Sequence, residues 1–106
     1  MILVFKKLNV SGMAVWPFII LANEKYKQNK FLINHELIHH KQQLELLIFP
    51  FYLLYLFNYL ANLIKYKNHN EAYLNIIFEK EAYTNERDLN YLKTRKNFNW
   101  WEYLKK

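Results

Sequence analysis

Apolar positions change their spacing once along this chain of 106 residues. Up to residue 33 they come in short runs. Ile2–Phe5 is one, Met13–Ala22 is a second, rich in β-branched and aromatic types, and Phe31–Ile33 is a third. Ser11-Gly12 and the polar stretch Glu24–Lys30 separate them as turns. This pattern predicts three short antiparallel strands, with Pro17 marking an edge strand or bulge. From residue 34 the spacing becomes helical. On a helix from His35 to about Phe49, the residues His35, His39, Gln42 and Leu46 share one face, while Leu37, Leu44 and Ile48 share the opposite one. Asn34 is a candidate N-cap, and Pro50 ends or bends this helix. Phe51–Tyr66 reads as a second helix, apolar nearly all round. Lys65–Asn70 is a polar connection, with Asn70 capping a third helix from Glu71 to about Lys96. Asn97–Lys106 adds a short amphipathic helix. The expected fold is α+β, mainly α: one domain over 1–106, with a short N-terminal antiparallel sheet over 1–33 and three to four helices after it.

Leu46–Ile64 is uncharged over a length sufficient to cross a bilayer. Pro50, Asn58 and Asn62 interrupt it, and three tyrosines lie within it. The expectation is a buried core helix; a helix lying in a membrane interface and a true span are the alternatives. The tail, with Trp100, Trp101 and Tyr103 beside lysines, reads first as aromatics packed on the core and second as an interfacial anchor.

Composition narrows the chemistry. The chain has no cysteine, so disulfides and thiolate metal sites are excluded and any metal must rest on His and carboxylate. One glycine and two prolines leave few helix breakers. The net charge of +6 suits an anionic membrane surface, an acidic partner or nucleic acid. The apolar Met1–Phe5 precedes Lys6 and Lys7, the reverse of a secretory leader, which points to a cytoplasmic or peripheral, inner-membrane-associated location.

The most informative stretch is His35-Glu36-Leu37-Ile38-His39, a match to HExxH. With four histidines in the chain, chance predicts on the order of 0.01 such matches. Two histidines four apart direct their imidazoles to one point on a helix face. Zinc accepts such ligands, and with a third protein ligand keeps one position for water, whose proton Glu36 can take as general base. The third ligand lies elsewhere. Glu45 points away from the two imidazoles if the helix continues past Gln42. His69 sits in a polar Lys/Asn loop. Glu79 and Glu81 lie on a later helix, about 200° apart around its axis, and periodicity does not choose between them.

HELIH followed some forty residues later by Glu79-Lys80-Glu81-Ala82 resembles the gluzincin group of zinc metallopeptidases, whose pattern is HExxH and then Glu-x-x-Ala. The resemblance covers two helices. It implies Zn2+ as cofactor, His35, His39 and Glu79 as its ligands, Glu36 as catalytic base, and a peptide or protein as substrate. The group often places Asp where this chain has Tyr83; Glu86, one turn on, is the candidate replacement in support of a histidine. Tyr83 and His40 are candidate donors to a polarised carbonyl, and a strand near Phe31–Ile33 could pair with an extended peptide.

Three function classes follow. A zinc metallopeptidase ranks first. A non-catalytic, metal-stabilised module at a membrane surface or protein partner is the alternative, favoured by the small size of the chain. Nucleic-acid binding ranks last, because the basic residues are dispersed and no RNA-binding motif occurs.

Overall fold

The structure is a computed structural model and describes residues 1–104. A small sheet comes first, made of β1 (Ile2–Val4), β2 (Gly12–Val15) and β3 (Phe18–Leu21). A 3-10 turn at Glu24–Gln28 leads to α1 (Lys30–Glu45). Then follow α2 (Ile48–Tyr66), α3 (His69–Leu74), α4 (Ile77–Asn85), α5 (Tyr91–Thr94) and a terminal 3-10 turn at Asn99–Leu104. The α+β, mainly helical class is as expected from the spacing of apolar residues.

The sheet differs from expectation in three respects. Met13–Ala22 turns at Trp16-Pro17 and gives β2 and β3 as an antiparallel pair, with Gly12 opposite Leu21 and Val15 opposite Phe18. β1 then adds to the far side of β3 in parallel, Ile2 opposite Ile19, so the order is β1-β3-β2 and the sheet is mixed. The reason lies on β2's outer edge, where the Gln43 side chain of α1 donates to Ala14 O at 2.8 Å and accepts from Trp16 N at 2.9 Å. Phe31–Ile33 is no strand. It forms the first turn of α1, capped by Asn29, whose side chain accepts from Leu32 N. Three apolar residues are too few to distinguish a period of 2 from one of 3.6.

Asn34, expected as an N-cap, lies buried inside α1. Its amide donates to the carbonyls of Asn85, Glu86 and Asp88 and so closes the C-terminal end of α4. α1 stops at Glu45, and Leu47 at φ 58° turns the chain into α2. Pro50 falls in the first turn of α2, where its missing N–H would have had no partner. The expected helix over 71–96 is three pieces. Asn68, not Asn70, caps the first. The second begins at Ile77, whose amide is capped by Asn58 Oδ1 from α2 at 2.8 Å.

Two cores result. Ile19, Leu21 and Ile38 are buried where α1 crosses the sheet. Phe51, Ile76, Phe78 and Trp100 form the second cluster, between α2, α4 and the terminal turn. Trp100 and Tyr103 are buried and Trp101 is exposed, so the tail packs largely on the core; Lys105 and Lys106 lie outside the described residues. α2 is not a core helix. Phe51 is its one buried residue, because only one face of it meets the rest of the chain.

Candidate metal centre

α1 carries His35 and His39 one turn apart, and α4 crosses it so that Glu79 meets both. His35 Nε2 and His39 Nε2 lie 3.2 Å apart, and Glu79 Oε1 lies 3.1 and 3.0 Å from them. All three side chains are buried. A tetrahedral ion with bonds of about 2.0–2.1 Å separates its ligand atoms by roughly 3.3 Å. The three atoms therefore stand nearly where a bound zinc would hold them.

The hydrogen bonds on the far side of each imidazole strengthen this fit. His35 Nδ1 lies 2.8 Å from Glu86 Oε1. His39 Nδ1 lies 2.8 Å from Gln42 Oε1. The orientation of the Gln42 amide follows from its other end, where Nε2 donates to Phe78 O and Glu81 Oε1. Both Nδ1 atoms thus face acceptors and carry the protons. With a proton on Nδ1, each imidazole turns its Nε2 toward the other and toward a carboxylate oxygen. Three electron-rich atoms in contact need a cation among them. Without a metal that cation is a proton. Burial opposes a charge on His39, but the Glu79 carboxylate against it prevails and raises its pKa to about 9. Burial likewise works to raise Glu79, and the two histidines hold it well below the usual carboxylate range.

Glu36 is buried beside the cluster, with no hydrogen bond from the described residues. Burial raises its pKa, against the pull of His39 and His35. The chain's only glycine faces it: a Cβ on Gly12 would come 3.2 Å from Glu36 Oε2 and 3.1 Å from Leu21 Cδ2. β2 therefore passes within touching distance of the carboxylate because residue 12 has no side chain. A cavity of about 210 Å3 opens here, lined by Gly12, Met13, Phe51, Tyr52, Tyr55 and Tyr73 around the three candidate ligands and Glu36. A wider groove of about 670 Å3 adjoins it past Val10, Phe31, Tyr83 and Arg87.

The remaining candidates separate cleanly. Glu81 is fully buried but faces away from the cluster, bound by Arg95, Tyr91 and Gln42. Glu45 holds the other side of Arg95 through two bonds of 2.7 and 3.0 Å. His69 is exposed and bonded to Tyr59. His40 turns to the sheet, with Nε2 2.9 Å from Phe18 O, so it is not available to a carbonyl in the cavity. Tyr83 packs its ring on His35 at 4.5 Å between centroids and shares a hydrogen bond with Tyr73. Glu86, the candidate support for a histidine, lies beside His35 Nδ1.

Three neighbours escaped the sequence reading. Tyr55 donates to Glu79 Oε2 at 2.6 Å and so orients the candidate ligand carboxylate. Tyr73 lines both the cavity and the groove. Gln42 was visible on the histidine face but carried no signal of its role, since a glutamine there is equally a solvated one. Comparison with known families, with curated proteins and with solved structures finds no match.

Proposed function

We propose that the chain is a zinc-dependent peptidase of the gluzincin kind, with His35, His39 and Glu79 as metal ligands. The observation that carries this reading is the convergence of two Nε2 atoms and a carboxylate oxygen within 3.2 Å, each imidazole oriented from behind through its Nδ1. The donor set of two histidines and one glutamate is that of catalytic zinc, which leaves a position for water. When bound, zinc supplies Lewis acidity that lowers the pKa of water and polarises a carbonyl.

The protein's own residues supply the rest. Glu36 reaches the cavity unencumbered, and its raised pKa suits a base that accepts a proton from water and hands it to a leaving amine. Glu86 and Gln42 keep each imidazole in the ligating tautomer. Tyr55 fixes Glu79. Tyr73 and Tyr83 place hydroxyls at the rim, where one can donate to a carbonyl oxygen. Burial raises the pKa of both, so they stay protonated donors at neutral pH.

An extended peptide finds its backbone partner on β2, not near Phe31–Ile33. In the antiparallel pair Ser11 O bonds inward to Ala22 N, so Gly12 and Ala14 turn their backbone groups outward. Gln43 and Tyr52 already occupy Ala14 O. Gly12 remains open beside Glu36, and the peptide runs from there along Val10 and Ser11 into the wide groove.

The test is metal content and hydrolysis together. Purified protein should hold one zinc per chain and cleave a mixed peptide library, with activity lost on chelation and restored by zinc. Glu36→Gln should keep the zinc and lose the hydrolysis. A protein that neither retains nor takes up zinc would overturn the assignment.

A further inference from the structure

α2 is built inside out. Its polar side chains before Lys65 are Tyr52, Tyr55, Asn58, Tyr59 and Asn62. Each of them turns inward and bonds to the rest of the chain: to Ala14 O, Glu79, Ile77 N, His69 and Ala72 O respectively. The outer face carries Phe49, Leu53, Leu56, Phe57, Leu60 and Ile64, all exposed, with Ile64 at 78%. These six fall within about 100° of one another around the axis. The strip has no hydrogen-bonding side chain along its length. An exposed apolar face of this size marks a docking surface.

The absence of polar groups selects the occupant. A protein interface carries about one hydrogen bond per 100–200 Å2, even where its centre is apolar. Hydrocarbon asks for none. Charge points the same way. Five of the nine acidic residues, Glu36, Glu45, Glu79, Glu81 and Glu86, are turned to the metal cluster or to Arg95. Among the described residues the exposed acids are Glu24, Glu71, Asp88 and Glu102, against eleven exposed Lys and Arg. The outer surface is thus more cationic than the formal +6 suggests, and Lys65 and Lys67 stand at the end of the strip.

We propose that the outer face of α2 binds an anionic lipid bilayer, with the helix axis in the plane of the membrane. At about 28 Å it is long enough to span. It does not, because the chain returns along it from Asn68 to Phe78. That return bears exposed Asn68, Asn70 and Glu71, which a spanning α2 would drag to bilayer depth. Lying flat, the apolar strip enters the acyl boundary while the inner, hydrogen-bonded face stays with the protein. This arrangement does not depend on the metal or on catalysis.

The experiment is co-sedimentation of the full chain with phosphatidylcholine vesicles, with and without a phosphatidylglycerol fraction. Wild type should bind the anionic vesicles, and weaken with added salt. The Leu53→Glu/Leu60→Glu double variant, whose changes point outward, should keep its circular dichroism and lose roughly tenfold or more in binding. Phe57→Trp in the otherwise unchanged chain should add a fluorescence component that brominated lipid quenches. Failure of wild type to bind either vesicle would overturn the proposal. So would undiminished binding by the folded double variant, or no added quenching in the Phe57→Trp variant. A stable dimer that the double variant dissociates, without vesicle binding, would assign the face to a second copy instead.

Discussion

Gln42 Oε1 lies 2.8 Å from His39 Nδ1, while the same amide donates to Glu81, on the side of α4 opposite Glu79. One side chain thus links the cluster of His35, His39 and Glu79 to the buried group of Glu81, Arg95 and Glu45. Replacing Gln42 with Leu keeps its bulk and removes both functions. Zinc affinity should fall about 10–100-fold as His39 loses its tautomeric partner. Stability should fall by about 1–3 kcal/mol, because Phe78 O and Glu81 Oε1 lose a buried donor. Zinc titration and urea melts measure the two effects separately.

Glu79 and Glu81 should fail in different ways. Glu79→Ala removes a ligand, and zinc binding should collapse. Glu81→Ala should leave the ligand set intact and destabilise the fold by about 3–5 kcal/mol, since the Arg95 side chain is 2% exposed and loses a principal partner. This exceeds what loss of packing alone would cost. Retained zinc stoichiometry in a less stable Glu81→Ala protein is the expected result, and an empty site with full stability would contradict it.

Gly12→Ala places a methyl group 3.2 Å from Glu36 Oε2 and 3.1 Å from Leu21 Cδ2. Glu36 or β2 must shift by a few tenths of an ångström. Hydrolysis should drop at least about tenfold, since catalytic geometry tolerates little displacement. Zinc content should be unchanged, because no ligand touches the new methyl. Parallel assays of metal content and turnover separate the two effects.

Metal-free protein should lose stability as pH rises. The His39 pKa is raised from 6.5 to about 9 by folding, so its contribution is complete below 6.5 and disappears on passing about 9. The shift corresponds to something on the order of 3 kcal/mol. Glu36, also raised by burial, acts in the same direction from a lower pH. The depressed Glu79 acts oppositely and costs stability only as pH falls below about 4.5. Thermal melts of chelated protein from pH 5.5 to 9.5 should show a falling midpoint. Zinc binding near pH 7.5 should expel the His39 proton, which calorimetry in buffers of different ionisation enthalpy can count. No proton release would contradict the arrangement.

How much of this was legible from residues alone follows the range of the interactions. The pair His35/His39 with Glu36 was legible because helical spacing is local and survives any packing. The change from short apolar runs to helical spacing, and with it the α+β class, was legible for the same reason. Boundaries were not. Asn29 and Asn34 are equally good caps by type; the three carbonyls at 85–88 claim Asn34 and leave Asn29 to start α1. Residues 71–96 have a continuous helical pattern, yet Asn58 from α2 starts a new helix at Ile77. Glu79 and Glu81 look alike in sequence; Arg95 takes one and two histidines take the other. For α2, hydropathy recorded that the segment is apolar and not which of its faces the protein covers. Local periodicity is a property of the chain itself. Caps, ion-pair partners and the environment of an apolar helix are contacts between distant segments, and only the tertiary structure chooses among the partners that composition makes equivalent.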